Sequence, residues 1–233
     1  MHDSRGYRIG VDVGGTFTDV LLQNDLDGSF QVAKTLTTPD DPSEGVLRAI
    51  QTCLDAGGVA ASDLRSVVHG TTLVTNAMIE RRGARTALLT TRGFRDILDI
   101  AREHRYDMYD LLLELPRPLT SRDLRFEVDE RVFADGTVYR PLDLDGVVAA
   151  GEAMARAGAE AVAIVFLHSY RDPSHERLAA QRLAERFPSL RISLSSEVAG
   201  EIREFERTST TVANAYTQEL LDRYIGRLEA ALR

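Results

Sequence analysis

The densest chemistry in the sequence lies in one string, Gly10-Val11-Asp12-Val13-Gly14-Gly15-Thr16-Phe17-Thr18-Asp19. An acidic residue closes an apolar run, two glycines follow, and hydroxyl residues open the next run. Glycines lack Cβ atoms, so backbone N–H groups can approach an anion closely. Thr16 and Thr18 add hydroxyls at alternate positions, on one face of a strand. Asp12 can hold Mg2+ through water against phosphates. Asp19, one step on from Thr18, faces the other way. The plainer reading is a Gly-Gly hairpin with an acid at a strand end. A Walker A loop and a Rossmann turn are excluded, because their glycines lead into a helix and these lead into a strand.

Two further strings carry donors. His69-Gly70-Thr71-Thr72, with Thr75-Asn76, reads as a strand end turning into a helix. Free N–H groups at such a helix start attract anions. His69 is then a donor, a base or an orienting group. The plainer alternative is a Thr N-cap and a packed histidine. Later, Arg203, Arg207, Thr210 and Asn214 share one stripe at helical spacing, and Ile202, Phe205, Val212, Tyr216 and Leu220 make an apolar stripe. An ordinary solvated helix face is the alternative there. Gly93-Phe94-Arg95-Asp96 reads as a ligand-orienting loop or a helix start, and His168-Ser169-Tyr170 closes a buried strand. His175-Glu176 reads as the first turn of a helix, where Glu suits the dipole. No metal-ligand spacing of His or Cys and no Gly-x-Ser-x-Gly is present, so zinc and serine-nucleophile chemistry are unsupported.

The elements that must position these residues follow from pattern. Tyr7 to Val13, Thr16 to Leu22 and Ser29 to Leu36 read as strands joined by tight turns, which predicts an antiparallel meander. Asp41 caps a helix with Pro42 at its first position, and Gly57-Gly58 stops it. Val67-Val68 reads as a short strand, Thr72 to Arg82 as a helix ended by Gly83, and Ala84 to Thr91 as an apolar strand. The first half thus has the order β-β-β-α-β-α-β. Arg92 to Arg102 holds a short helix, and His104 to Arg125 is mostly irregular. Phe126 to Phe133 and Thr137 to Leu142 flank Ala134-Asp135-Gly136, a hairpin signal. Asp143 caps a helix to Arg156, Ala161 to Leu167 is a buried strand, Pro173 to Phe187 a helix and Arg191 to Ser195 a strand. From Val198 the pattern is helical, with a break expected at Thr208 to Thr211. The expected division is 1–91 as a lobe with the phosphate loop, 92–125 as a connecting segment, 126–197 as a second, smaller α/β region and 198–233 as a helical segment.

Composition bounds the function classes. The 233 residues carry 28 basic and 36 acidic side chains, a net charge of −8, which argues against a nucleic-acid partner. The single cysteine, Cys53, sits among apolar neighbours and suits a buried thiol in a reducing compartment. The apolar run from Ala161 to Leu167 is too short to span a bilayer. The first residues lack a signal-peptide core, so a cytoplasmic, non-membrane protein is expected.

Taken together, these strings resemble the actin-like ATPase superfamily and, within it, the N-terminal region of the hydantoinase A / 5-oxoprolinase family. The matching strings are Gly10 to Asp19, Thr37-Thr38-Pro39-Asp40-Asp41-Pro42, His69 to Ala77, Gly93 to Asp96, Glu127-Val128-Asp129-Glu130-Arg131, His168 to Tyr170, and Ser195-Ser196-Glu197-Val198 with Arg203 to Tyr216. The resemblance implies an actin-like (ribonuclease H-like) α/β lobe with a second α/β region and a C-terminal helix. It implies ATP and Mg2+ as cofactors, used to phosphorylate a carbonyl oxygen before ring opening or carboxylation. It puts Asp12, Gly14, Gly15, Thr16 and Thr18 on the phosphate loop, with Asp12 toward the metal. It puts His69, Thr72, Asn76 and Arg207 near the catalytic cleft, and Arg203, Glu204, Glu206 and Asn214 on a string without assigned roles. The expected activity is that of the N-terminal part of an ATP-dependent cyclic-amide hydrolase, of the hydantoinase or 5-oxoprolinase type. The alternatives are the ATP-using subunit of a ketone carboxylase and a nucleotide-binding module without its own catalysis. A sugar kinase is more distant. One phosphate loop is present where the actin-like fold uses two, and members of the family continue beyond this length. The partners implied are therefore a cyclic-amide substrate and the remainder of the family's chain or a partner subunit, in a homo- or hetero-oligomer.

Overall fold

The computed structural model describes residues 6–38 and 41–232. Pro39 and Asp40 of the Thr37 to Pro42 string lie outside the described residues, as does the start of the chain. The chain divides into two compact units, Met1–Glu80 with Leu220–Arg233, and Arg81–Glu219.

The first unit opens with the expected meander. β1 (Tyr7–Val13), β2 (Phe17–Asn24) and β3 (Phe30–Leu36) run antiparallel, and β4 (Leu64–Thr71) adds in parallel beside β1. Ile9, Val11 and Val13 of β1 point inward with Val20 and Leu22 of β2. The register pairs Asp12 with Asp19 and Val13 with Thr18. A slip of one residue would turn the apolar set outward and fix Asp12 inside, so burial holds this register. α1 (Pro42–Gly57) lays Val46, Ala49, Ile50, Cys53 and Leu54 on the inner face. Its Asp41 cap accepts from the Ser43 N–H, and Gly58 ends it in the left-handed region at φ 62°. α2 (Leu73–Ile79) follows β4.

Gly83 is not the cap of α2, which stops at Ile79. It serves a close approach instead: a Cβ there would stand 2.2 Å from the Tyr216 ring and 2.5 Å from the Tyr216 carbonyl oxygen.

The second unit is built on four parallel strands in the order β10-β9-β5-β6. They are β5 (Thr86–Thr91), β6 (Arg125–Val128), β9 (Ala161–Val165) and β10 (Arg191–Leu194). All residues of β5 and β9 are buried, as expected for strands covered on both faces. β5 thus belongs to the second unit, and the division falls after Glu80 rather than at Thr91. The expected hairpin is split. β6 pairs with β5, and only β7 (Arg131–Val132) pairs with β8 (Val138–Arg140). Val128 is drawn into the parallel sheet's core, so the chain turns at Asp129-Glu130 before the short ribbon begins. α3 (Ile97–Ile100), α4 (Leu144–Arg156), α5 (Ser174–Arg186) and α6 (Ser195–Val198) connect or cover the strands.

α7 (Glu204–Leu232) begins in the second unit and ends in the first. The break expected at Thr208 to Thr211 is absent. Thr208, Thr211 and Thr217 each donate a hydroxyl to the carbonyl four residues back, at 2.6–2.8 Å. The hydroxyls are thereby satisfied inside the helix. Burial of Arg207, Thr208, Thr211 and Val212 supplies the packing that overrides weak propensity. The buried face also differs from the two stripes read from spacing. Arg207 is buried while Arg203 and Thr210 are exposed, and Ile202 precedes the helix, exposed. No helix among the described residues is long and apolar enough to cross a membrane.

Candidate functional site

The turn between β1 and β2 is held from two sides. On one side Thr37 braces it. The Thr37 N–H donates to the Thr16 carbonyl and its hydroxyl to the Gly14 carbonyl, each at 2.9 Å. Thr18 adds its hydroxyl to that of Thr37 at 3.1 Å, fully buried. β2 begins only at Phe17, so Thr16 lies in the bend and is exposed. Thr16 and Thr18 therefore do not share a face: one lies at the loop surface, the other is a brace beneath it.

On the other side stand Thr72 and Asn76. The Thr72 N–H and hydroxyl both reach the Val13 carbonyl, at 3.0 and 3.2 Å. The Asn76 amide donates to the Thr72 hydroxyl at 3.2 Å. A Cβ on Gly15 would stand 3.2 Å from Asn76 Nδ2, and one on Gly14 3.1 Å from the Phe17 carbonyl oxygen. Both approaches are tight, so a side chain at either glycine would have to displace its neighbour by a few tenths of an ångström. Within this cradle, the Gly15 and Thr16 N–H groups make no hydrogen bond to another described residue. Unmet backbone donors at a glycine turn are the usual means of holding an anion.

Asp12 stands at the root of the loop on the outer face of the sheet, between Asp19 and Gly70 in register. Asp19 is tied to Lys34 at 2.7 Å. Asp12 is exposed and has no hydrogen-bond or ion-pair partner among the described residues. Bare Gly70 leaves room beside it, since a Cβ there would lie 3.6 Å from Asp12 Oδ1. An open depression of about 470 Å³ runs from Asp12 and Asp19 across Gly10, Leu21, Val32 and Val68. No group of three or more His, Cys, Asp or Glu among the described residues is arranged to hold a metal ion. One free carboxylate beside unmet N–H donors fits a Mg2+ ion that keeps its waters and rides on phosphates. The Gly15 and Thr16 N–H groups with Asp12 therefore fit Mg-ATP, while the Gly14 N–H is already given to the Phe17 carbonyl at 2.9 Å and closes the turn.

His69 is on the opposite face. It neighbours Val11 in register, and its Nε2 lies 2.7 Å from the Tyr224 hydroxyl of α7. Its Nδ1 is buried without a hydrogen-bond partner among the described residues. Burial holds the imidazole below its ordinary pKa, opposed first by the Val11 backbone and then by the Asp12 charge. Burial pushes the Tyr224 hydroxyl up to about 12. Val11, Val46, Val67, Ile225 and Leu228 line a cavity of about 310 Å³ beside this pair.

Arg207 belongs to the second unit. Its guanidinium donates to the Phe166 carbonyl at 2.7 Å and the Glu201 carbonyl at 3.0 Å, and lies over the Tyr170 ring. Burial lowers its pKa. Asn214 donates to the Ser193 hydroxyl at 3.0 Å, joining α7 to β10.

Around Arg207 the C-terminal ends of the parallel strands carry a buried polar network that spacing did not reveal. Glu176 accepts from the Phe166 and Ser196 N–H groups and from the Ser195 hydroxyl, at 2.5–3.0 Å. Thr91 donates to Glu130, and Glu130 faces His175 Nδ1 at 2.8 Å. β9 ends at Val165, short of the expected Leu167, and His168 lies in the turn beyond it, in the left-handed region at φ 57°. These residues come from separate elements, so no local pattern could group them.

The chain has extensive relatives. It is 38% identical over 96% of its length to caprolactamase subunit alpha of Pseudomonas jessenii, and 34% over 97% to the acetophenone carboxylase gamma subunit of Aromatoleum aromaticum. It covers 33% of each of those relatives, so the chain spans about a third of their length. Among solved structures, the nucleotide-free acetone carboxylase matches with a TM-score of 0.89 and 27% identity, over 98% of this chain and 34% of that one. The ATP-dependent caprolactamase of Pseudomonas jessenii matches with a TM-score of 0.87 and 36% identity, over 97% and 33%. The meander, its parallel fourth strand and the flanking helices are the α/β arrangement of the actin-like ATPase fold, joined here to a second α/β region and a C-terminal helix. Residues 8–187 match the hydantoinase/oxoprolinase N-terminal region, and the chain belongs to that family.

Proposed function

We propose that the Gly14 to Thr16 loop, with Asp12, Thr72 and Asn76, holds the phosphates of Mg-ATP. We further propose that this chain is the ATP-using module of an enzyme that activates a small amide or ketone by phosphorylating its carbonyl oxygen. The observation that carries the reading is the cradle itself. Gly15 lies under Asn76, where a Cβ would press the amide at 3.2 Å, its N–H and that of Thr16 are unmet, and Asp12 stands unpaired beside them. Phosphoryl transfer rests on positioning and charge neutralisation, which such a site supplies without a protein nucleophile.

The residues divide by role. Gly15 and Thr16 offer N–H donors to phosphate oxygens. Asp12 orients the metal's water shell. Thr72 and Asn76 are positioning residues that fix the loop from the start of α2 and from within it. His69 acts from behind the sheet through its bond to Tyr224. Arg207 orders the ends of the parallel strands through the carbonyls it binds.

For the carbonyl substrate we rank the alternative reading first. Relatives named as caprolactamase and as carboxylase subunits match over nearly the whole chain, and the matched structures are acetone carboxylase and caprolactamase. A ketone-carboxylase type of assembly with partner subunits therefore stands ahead of a hydantoinase or 5-oxoprolinase, and within the cyclic-amide reading a caprolactam-type ring stands first.

Calorimetric titration of the chain with Mg-ATP tests the site. Saturable binding that Asp12→Ala weakens at least tenfold is expected. Equal affinity in wild type and variant would sink the assignment of Asp12. ATP turnover with partner subunits then separates the substrates: stimulation by caprolactam, or by a ketone with bicarbonate, supports the ranking, and stimulation only by hydantoin or 5-oxoproline reverses it.

A further inference from the structure

A second pocket, of about 490 Å³, opens in the second unit beside the β7–β8 ribbon. Its walls include Arg92, Arg131, Arg140, Phe133, Tyr139 and the edge of Glu130. None of these belongs to the Asp12 loop.

Two observations point to an anion as the pocket's ligand. First, Arg131 and Arg140 are direct cross-strand partners in a two-stranded antiparallel ribbon. Like charges directly opposite one another destabilise such a pair. Second, the counter-charges on hand are too few. Asp129 serves both Arg92 and Arg140, at 2.8 and 3.1 Å. Glu130 is buried and turned to Thr91 and His175. Arg131 has no carboxylate partner among the described residues, and its guanidinium lies 5.4 Å from the Phe94 ring centroid. The Asp129 pairs are more than half exposed on the arginine side, so they are weak and easily exchanged for a ligand.

The lining also selects the kind of anion. Guanidinium forks match the planar, two-oxygen edge of a carboxylate. Arg92 and Arg140 already share Asp129, which leaves Arg131 as the one guanidinium of the three without a carboxylate among the described residues, a single fork for a monoanion. Phe133 and Tyr139 stack at 5.0 Å and are half exposed, a flat apolar wall for the body of a ligand. We propose that this pocket binds a small organic monocarboxylate with a flat or cyclic body, held by Arg131 and Arg140 and stacked on Phe133 and Tyr139.

The test is titration of the whole chain with benzoate, acetate and inorganic phosphate, followed by calorimetry and by amide NMR shifts. Saturable benzoate binding that shifts Arg131 and Tyr139 amides is expected. Arg131→Gln should weaken benzoate about tenfold, about 1.4 kcal/mol. Arg140→Gln, at an exposed side chain, keeps the test alive if the first variant misfolds. Tyr139→Ala should weaken benzoate several-fold and leave acetate unchanged. Mg-ATP affinity should be the same in all three variants, so this site and the loop site fail independently. Benzoate affinity unchanged in both arginine variants, phosphate binding tighter than benzoate in this pocket, or no saturable binding of benzoate would each overturn the proposal.

Discussion

At the scale of single residues, Gly15 and His69 carry the sharpest expectations. A methyl on Gly15 meets Asn76 at 3.2 Å, so Gly15→Ala must push the amide away from Thr72 or tilt the loop. Mg-ATP affinity should fall about tenfold, roughly 1.4 kcal/mol, with little loss of thermal stability, because both groups are at the surface. The double variant Gly15→Ala with Asn76→Ala should recover part of that loss in calorimetry; no recovery would mean that Asn76 is a direct ligand rather than a steric neighbour. His69 makes a pH prediction. Burial depresses its pKa below the ordinary 6.5. The unfolded chain therefore takes up a proton near that value while the folded chain resists it. His69's contribution is fully present above pH 6.5, falls as pH drops below it, and levels off at the folded pKa. Urea midpoints measured across this range should slope downward on acidification, and His69→Gln should flatten the slope by the share of one proton. An unchanged slope would show that the buried ring is protonated in the folded state.

At the scale of elements, local signals were legible and long-range pairings were not. The β1–β3 meander, the Asp41 and Asp143 caps and the left-handed Gly58 were all readable, because each depends on a few adjacent residues. The assignment of β5 to the second sheet and the separation of β6 from β7 depend on partners far along the chain. The candidate site shows the same divide. Asp12, Gly14 and Gly15 were readable as one string and Thr72 and Asn76 as another, but not that Thr72 and Asn76 brace the glycine turn. The inward turn of His69 was not, because its partner Tyr224 is 155 residues away. Thr37 was legible as part of a string, but its work as a brace needed β3 beside the loop. α7 provides an element-scale prediction. Gly83 is pressed against both the ring and the carbonyl of Tyr216, and the Ala84 N–H bonds that carbonyl at 2.9 Å. Backbone cannot yield as a flexible side-chain tip can. Gly83→Ala should cost about 1–3 kcal/mol or more, seen as a lower denaturant midpoint, whereas Gly226→Ala, with open space around it, should be neutral or slightly stabilising.

At the scale of the whole molecule, the chain builds separate cores in its two units, and α7 contributes to both. Val212 and Ala215 join Leu88, Ala161 and Val165 in a core of the second unit. Tyr224 and Leu228 join Ile9, Val11, Val46 and Ile50 in the core of the first. The last turns of α7 are thus the inner-face complement of the sheet that carries Asp12 and the loop. Leu228 is 6% exposed, so Leu228→Ala removes buried apolar area and leaves a cavity. A buried Leu→Ala change costs about 2–5 kcal/mol, and the low end applies beside an existing hollow such as the one lined by Val11, His69 and Ile225. Native-state hydrogen exchange resolves where that cost falls. Amides of β1 and α1 should lose protection, and those of β5 and β9 should keep theirs. Mg-ATP should restore protection to β1 and α1 in the variant, since a ligand that binds only the folded form stabilises the unit that holds it. Protection lost equally in β5 and β9 would mean that the two cores melt as one cooperative body, and α7 would then be the element that couples nucleotide binding to the second unit.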